Sequence, residues 1–239
     1  MSRVSPYEPT DPRDPNLPFY SDGVSVSTCT VRGRRTSDRV ELVVDAEGSV
    51  AVVLLDVRSA RDEQELRKRL SDRTRACLEA SLPFHELVAV LRAEVATSLA
   101  ATIGISAIRV SWLDGRAEIL NAGMPAIACV APGRGLLEFP ALSPDVAAHA
   151  DQVHPYEMVP LFGGSTWLLC SDGATAGSPE EAGRLWEALS LSTAPDKLVT
   201  GNDALLARLE ATLGIMPPPE DATLAVIAVD HTARRSGIR

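Results

Sequence analysis

The sequence predicts an α+β fold built from mostly antiparallel sheets covered by helices. Three observations lead there. Segments of strand character come in runs and segments of helical spacing come in consecutive pairs, unlike the strict β-α-β-α alternation of a doubly wound parallel sheet. Hydrophobic residues make up 45% and charged residues 23% of the chain, with a mean hydropathy of +0.04, the balance of a polypeptide with a packed interior. At 239 residues the chain is also long enough to bury a large core.

Taken in order, residues 1–22 set Pro6, Pro9, Pro12, Pro15 and Pro18 at three-residue spacing among acids, which favours an extended polyproline-like arm that cannot join a helix. Such an arm either docks a partner or frays, and fraying is the expectation. The domain proper is expected over residues 23–230. Val24 to Arg32 alternates, Arg39 to Val44 is β-rich, and Ser49 to Leu55 is a near-continuous apolar run after the turn Ala46-Glu47-Gly48. These read as three strands, the last two a hairpin. Apolar residues then shift to helical spacing from about Asp62 to Ala80 (Leu66, Leu70, Cys77) and from Pro83 to about Thr102 (Leu87, Val90, Leu91, Val95, Leu99), which predicts two long helices. Strands resume at Ser106 to Trp112, Ala117 to Asn121, Ala126 to Ala131 and Thr166 to Cys170, separated by Asp114-Gly115, Gly133 to Gly135 and Gly163-Gly164. A second helix pair, near Pro179 to Leu191 and Asn202 to Leu213, precedes a closing strand from Ala222 to Val229. Residues 231–239 form a short basic tail with no apolar pattern and are expected to fray.

Charge excludes one class of partner. A formal net charge of −9 and a pI near 5.0 oppose a phosphate backbone, and aromatics at 4% offer no stacking platform for bases, so no nucleic-acid partner is expected. No apolar run reaches the ~18 residues of a membrane helix, and the first residues carry prolines and acids where a signal peptide needs an apolar stretch, so a cytoplasmic protein without membrane contact is expected. Cys29, Cys77, Cys129 and Cys170 are too far apart for a zinc knuckle or a dense disulfide framework and read as reduced, mostly buried thiols. His85 and His149 lack acidic pairs at ligand spacing and His154 precedes a proline, so all three read as surface or packing residues, and Trp112, Trp167 and Trp186 read as core positions.

The informative feature is where four aspartates fall. Asp56 ends the apolar run Val50 to Leu55, and Asp172 follows Trp167-Leu168-Leu169-Cys170-Ser171 and precedes Gly173. Asp221 lies just before the closing strand, after Pro217-Pro218-Pro219, and Asp38 just before the strand that begins near Arg39. Any one of them alone reads as a turn or helix cap. Together they are placed so that a sheet could gather them at one edge of the core, where carboxylates repel and raise each other's pKa unless a cation neutralises them. Oxygen-only ligands select Mg²⁺, Mn²⁺ or Ca²⁺ over zinc.

Thr36-Ser37-Asp38 with the run Asp45 to Val57, then Asn121 to Pro125, Pro160 to Gly173 and Glu220 to Leu224, taken in that order, resemble the motifs of the PPM-type metal-dependent serine/threonine phosphatases in their bacterial SpoIIE-like branch. Thr36-Ser37-Asp38 and the run Asp45 to Val57 are similar to that branch's Gly-Gly-Asp and the hairpin ending in Gly-Asp-Val-Ser-Gly. Asn121-Ala122-Gly123-Met124-Pro125 resembles its Asn-Ala-Gly-His-Pro. Pro160 to Gly173 resembles its Gly-Asp-Xaa-Leu-Leu-Leu-Tyr-Thr-Asp-Gly, and Glu220-Asp221-Ala222-Thr223-Leu224 its Asp-Asp-Xaa-Thr-Leu. Each motif is short, but four in the right order with helices between them are specific as a set. The resemblance implies an αββα sandwich, two antiparallel sheets flanked by helix pairs. It also implies two divalent ions, Mn²⁺ or Mg²⁺, with Asp56 bridging both, Asp38 and the Val57 carbonyl serving one, and Asp172 and Asp221 the other. The activity it implies is hydrolysis of phosphoserine or phosphothreonine on a signalling protein by metal-activated water, with Asp56 and Asp172 essential to catalysis. The partner implied is a phosphorylated regulatory protein, such as an anti-sigma-factor antagonist in partner-switching stress signalling.

Departures from the family pattern keep a second function class open. Arg58-Ser59-Ala60-Arg61 stands where the family has Ser-Gly-His-Gly, Thr36-Ser37 stands for Gly-Gly, and Met124 for His. The glycines that let the strand turn into the helix are missing, so the loop must run differently. Arg58 and Arg61 either bind the substrate phosphate bidentately or are solvated residues at a helix start, and the second reading is favoured. The alternative function is a pseudophosphatase that binds or scaffolds a phosphoprotein without turnover. A calcium-binding structural protein is a third reading.

Overall fold

The computed structural model describes residues 19–21, 23–33, 37–58, 63–96, 101–111, 114–146, 156–193, 202–213 and 220–230. Its elements are β1 (Phe19–Ser21), β2 (Val24–Val31), β3 (Asp38–Val44), β4 (Val50–Arg58), α1 (Glu63–Glu79), α2 (Phe84–Ala96), β5 (Thr102–Ser111), β6 (Arg116–Ala122), β7 (Ile127–Ala131), β8 (Gly135–Phe139), β9 (Tyr156–Pro160), β10 (Thr166–Cys170), α3 (Asp172–Thr175), α4 (Pro179–Ser192), α5 (Asn202–Thr212) and β11 (Ala222–Val229). The strands form two sheets, ordered β1-β2-β11-β10-β7-β8 and β3-β4-β5-β6-β9. Every strand pairing is antiparallel.

Side-chain alternation assigns each strand residue to one of three apolar layers. On β4, Val50 and Val52 face the second sheet and pack with Ile108, Val110, Trp167, Leu169, Ala225 and Ile227 in a layer between the sheets. Ala51, Val53, Leu55 and Val57 point the other way, against Leu66, Leu70, Leu87 and Leu91 of α1 and α2. The second sheet does the same: Leu168, Cys170, Leu224 and Val226 pack under Leu185, Trp186 and Leu189 of α4 and Leu205, Leu206 and Leu209 of α5. A strand stretch buried on both faces is apolar on both, which is why β4 reads as an unbroken hydrophobic run from Val50 to Leu55. The order of layers is therefore helix, sheet, sheet, helix, the predicted αββα sandwich.

Buried charge ties α2 to its sheet. Glu118 of β6 accepts from the Phe84 amide (2.9 Å) and from Arg109 Nη1 of β5 (3.0 Å), while Arg109 Nη2 donates to the Leu82 carbonyl (2.6 Å). The β3–β4 turn is fixed by Asp45, whose Oδ1 accepts from the amides of Glu47 (3.0 Å) and Ser49 (2.9 Å), and by Gly48 at φ +79°. That turn sets the register, and the register places Asp38 directly opposite Asp56.

Several expectations need correction. The second helix ends at Ala96, and β5 already runs from Thr102, where the β-branched alternation of Thr102, Ile103 and Ile105 joins the strand instead of prolonging the helix. β1, β8, β9 and the short α3 were not anticipated. β1 pairs with β2 at the edge of the larger sheet and uses residues 19–21 of the expected arm. Residues 1–18, the tail 231–239, Trp112, His149, His154 and Arg61 lie outside the described residues. Among the described residues no helix is long and apolar enough to cross a membrane.

Candidate functional site

Four strand ends meet at one end of the sandwich. Asp38 opens β3 and Asp56 lies near the end of β4, so the antiparallel register brings them together on the smaller sheet. Asp172 follows β10 and Asp221 precedes β11, and these strands are paired on the larger sheet. Ser171 stitches that end: its amide donates to the Thr223 carbonyl (2.9 Å), its hydroxyl donates to the Asp221 carbonyl (3.2 Å) and accepts from the Thr223 amide (2.9 Å).

Two glycines allow the chain to close around Asp221. A Cβ on Gly33 would lie 2.2 Å from the Glu220 carbonyl carbon, and one on Gly173 would lie 2.1 Å from the Asp221 oxygen. Close backbone approach, not a left-handed torsion, is what requires glycine at both positions. With Gly33 bare, its amide reaches the Asp221 Oδ1 at 2.8 Å and fixes that carboxylate.

Asp38, Asp56 and Asp221 are buried, at 5%, 3% and 2% exposure. Burial raises the Asp38 carboxyl from 3.8 to about 6, helped by the charges of Asp56 and Asp221 and opposed by the hydroxyls of Ser171 and Thr223 from the other sheet. Asp56 is raised too, again by burial first, with Glu220 adding to the shift and the Arg58 charge and the Ser37 hydroxyl opposing it. Asp38 Oδ2 and Asp56 Oδ1 are buried with no hydrogen-bond partner. Buried acceptors are normally satisfied, so an orphaned pair on two converging carboxylates leaves room for a cation or a shared proton.

The cation in place is a side chain. Arg58 Nη2 pairs with Asp56 Oδ2 (2.9 Å), Glu220 Oε2 (3.1 Å) and Asp172 Oδ2, joining carboxylates from both sheets. The reading of Arg58 as a solvated helix-start residue is thereby corrected: it is the last residue of β4, two beyond Asp56, and the pleat turns both toward the same face. Among the described residues no three metal-binding groups already close into a coordination shell.

The remaining expected positions are structural or partly so. Val57 donates its amide to the Ser37 carbonyl (3.1 Å) and buries its side chain under α1 and α2. Asn121 donates to the carbonyls of Pro125 (2.9 Å) and Phe139 (3.1 Å), which shapes the turn that follows β6. Met124 is buried beside Gly104, the residue paired with Asp56. Glu220, Gly33, Ser171 and Thr223 were not singled out as site residues; the signals were Glu220 and Thr223 inside the Asp-Asp-Xaa-Thr-Leu-like motif and Ser171 directly before Asp172, while Gly33 left none. Next to the cluster, Asp172 also lines a groove of about 470 Å³ with Pro125, Thr175, Ser178, Pro179 and Trp186.

Comparison with known proteins agrees with this architecture. The family described as Stage II sporulation protein E (SpoIIE) matches residues 47–230. No curated protein matches the chain. Among solved structures, the RsbU and RsbW domains of Rv1364c from Mycobacterium tuberculosis are similar, with a TM-score of 0.72 at 15% identity over 88% of this chain and 62% of that one. This chain therefore spans less than two thirds of that structure. RsbX in complex with magnesium gives 0.71 at 11% identity over 90% of this chain and 99% of that one. The catalytic domain of the serine/threonine phosphatase PstP in complex with two manganese ions gives 0.61 at 15% identity over 87% and 98%.

Proposed function

The chain belongs to the SpoIIE family of PPM-type phosphatases, and from that premise we propose that it is a metal-dependent protein serine/threonine phosphatase. Its substrate is a phosphoserine or phosphothreonine on a signalling protein, with a phosphorylated anti-sigma-factor antagonist as the class that fits best. The observation that carries this reading is the meeting of Asp38, Asp56, Asp172 and Asp221 from two sheets, with two buried carboxylate oxygens left unpaired.

Asp38, Asp56, the Val57 carbonyl, Asp172 and Asp221 are the groups that would hold two divalent ions, Mn²⁺ or Mg²⁺. The donor set suits hard cations, since every ligand is oxygen. When bound, such ions supply a nucleophilic water at neutral pH and neutralise charge in an in-line displacement at phosphorus. The chain's own residues do the positioning. The Gly33 amide holds Asp221, the β3–β4 register holds Asp38 against Asp56, and the Ser37 hydroxyl donates to Asp38 Oδ1 (3.3 Å). The groove beside Asp172 offers room for the polypeptide that carries the phosphate.

The test is phosphate release from an aryl phosphate and a phosphoserine protein, with Mn²⁺ or Mg²⁺, beside Asp56→Ala and Asp172→Ala. Metal-dependent turnover that falls by at least about a hundredfold in both folded variants is expected. One observation favours a second reading: Arg58 already neutralises part of the cluster, as a phosphoprotein-binding pseudophosphatase would tolerate. Tight phosphoprotein binding with no turnover at any ion concentration would select it.

A further inference from the structure

Resting on the reading of the cluster as an ion site, we propose that Arg58 is a tethered counter-cation: it competes with divalent ions for the carboxylates and thereby sets the ion concentration at which the site fills. Three observations converge. The guanidinium bridges Asp56 on one sheet to Asp172 and Glu220 on the other, the cross-sheet link that an ion held by the same aspartates would make. Strand geometry leaves it little choice, because β4 continues through Arg58 and residues two apart share a face. The side chain is nevertheless 46% exposed, so solvent can receive it once it is displaced.

Arginine and ion cannot share the site fully, because two cations on the same carboxylates repel. Nor does the arginine satisfy the site: Asp38 Oδ2 and Asp56 Oδ1 stay unpaired with the guanidinium in place, and those are the atoms a divalent ion would engage. Arg58 thus neutralises the outer part of the cluster and leaves its deepest oxygens for the ion. It is a positioning residue whose effect is read in ion affinity and not only in turnover.

The experiment is calorimetric titration of Mn²⁺ into the metal-stripped full chain, comparing wild type, Arg58→Lys and Arg58→Gln. A lysine keeps the charge, but its ammonium sits on a shorter stem than the Nη2 that alone meets all three carboxylates, so it should yield to the ion more readily. The expected order of affinity is wild type weakest, Arg58→Lys intermediate and Arg58→Gln tightest, with about tenfold or more between the extremes. In metal-free buffer Arg58→Gln should also melt below wild type, and saturating Mn²⁺ should close that gap. If the glutamine variant does not fold without metal, the lysine variant decides alone and must bind more tightly than wild type. Equal or weaker binding by the variants overturns the role of Arg58 while leaving the ion site standing. Binding to none of the three proteins overturns both. Tighter binding in the variants without turnover in any protein upholds the role of Arg58 and removes the hydrolase.

Discussion

Asp38 is forced into conflict by its surroundings: burial and two neighbouring carboxylates oppose its charge, and its pKa rises to about 6 from an ordinary 3.8. The sign follows from proton counting. Below the unfolded value both states hold the proton, and between about 3.8 and 6 the folded state holds more protons than the unfolded chain. The metal-free fold therefore loses stability as pH rises through that window, by up to about 3 kcal/mol for this group. Asp38→Asn removes the conflict, so its stability relative to wild type should climb from pH 4 to pH 6 and level off above, measured by urea unfolding with a chelator present. A constant difference across that range would refute it. The four aspartates were legible in the sequence because each stands where an apolar run begins or ends. Arg58 was misread for a physical reason: β4 outlasts its apolar stretch by three residues, Asp56 to Arg58, so a charged residue still in the strand looked like the start of a helix.

At the level of elements, period and length decided what could be read. β4 and β11 are long and apolar on both faces, and α1 and α2 carry a clear helical spacing, so their sequences announce them. β8 and β9 are five-residue strands at sheet edges, where half-buried side chains leave little alternation to detect. α3 is a four-residue turn whose existence depends on Gly173 passing close to Asp221. Two glycine substitutions separate these causes. Gly173→Ala drives a methyl into the Asp221 carbonyl and should destabilise by about 1–3 kcal/mol. Gly183→Ala, inside α4 with open space around the new Cβ, should stabilise by about 0.5–1 kcal/mol. Chemical denaturation of the two variants should move the midpoint in opposite directions.

On the scale of the molecule, the sandwich was legible as a class because two antiparallel sheets and two helix pairs each left a pattern in the chain. How the sheets pair was not, since β2 joins β11 across nearly the full sequence and no local signal specifies that partner. The cluster draws half its aspartates from each sheet, and the apolar layer between the sheets, with the Arg58 ion pairs at its end, holds the two halves in line. A cavity in that layer should be felt far from where it is made. Ile108→Ala, fully buried there, should cost about 2–5 kcal/mol and weaken Mn²⁺ binding as well, although Ile108 touches none of the aspartates in sequence or strand register. A matched cavity under α5, Leu209→Ala, should lower the melting temperature comparably and leave Mn²⁺ affinity near wild type.

Like the two jaws of a caliper, the sheets make the spacing of the carboxylates a readout of their mutual alignment. A slip smaller than one strand spacing would change that spacing while the circular-dichroism spectrum still reported an intact protein.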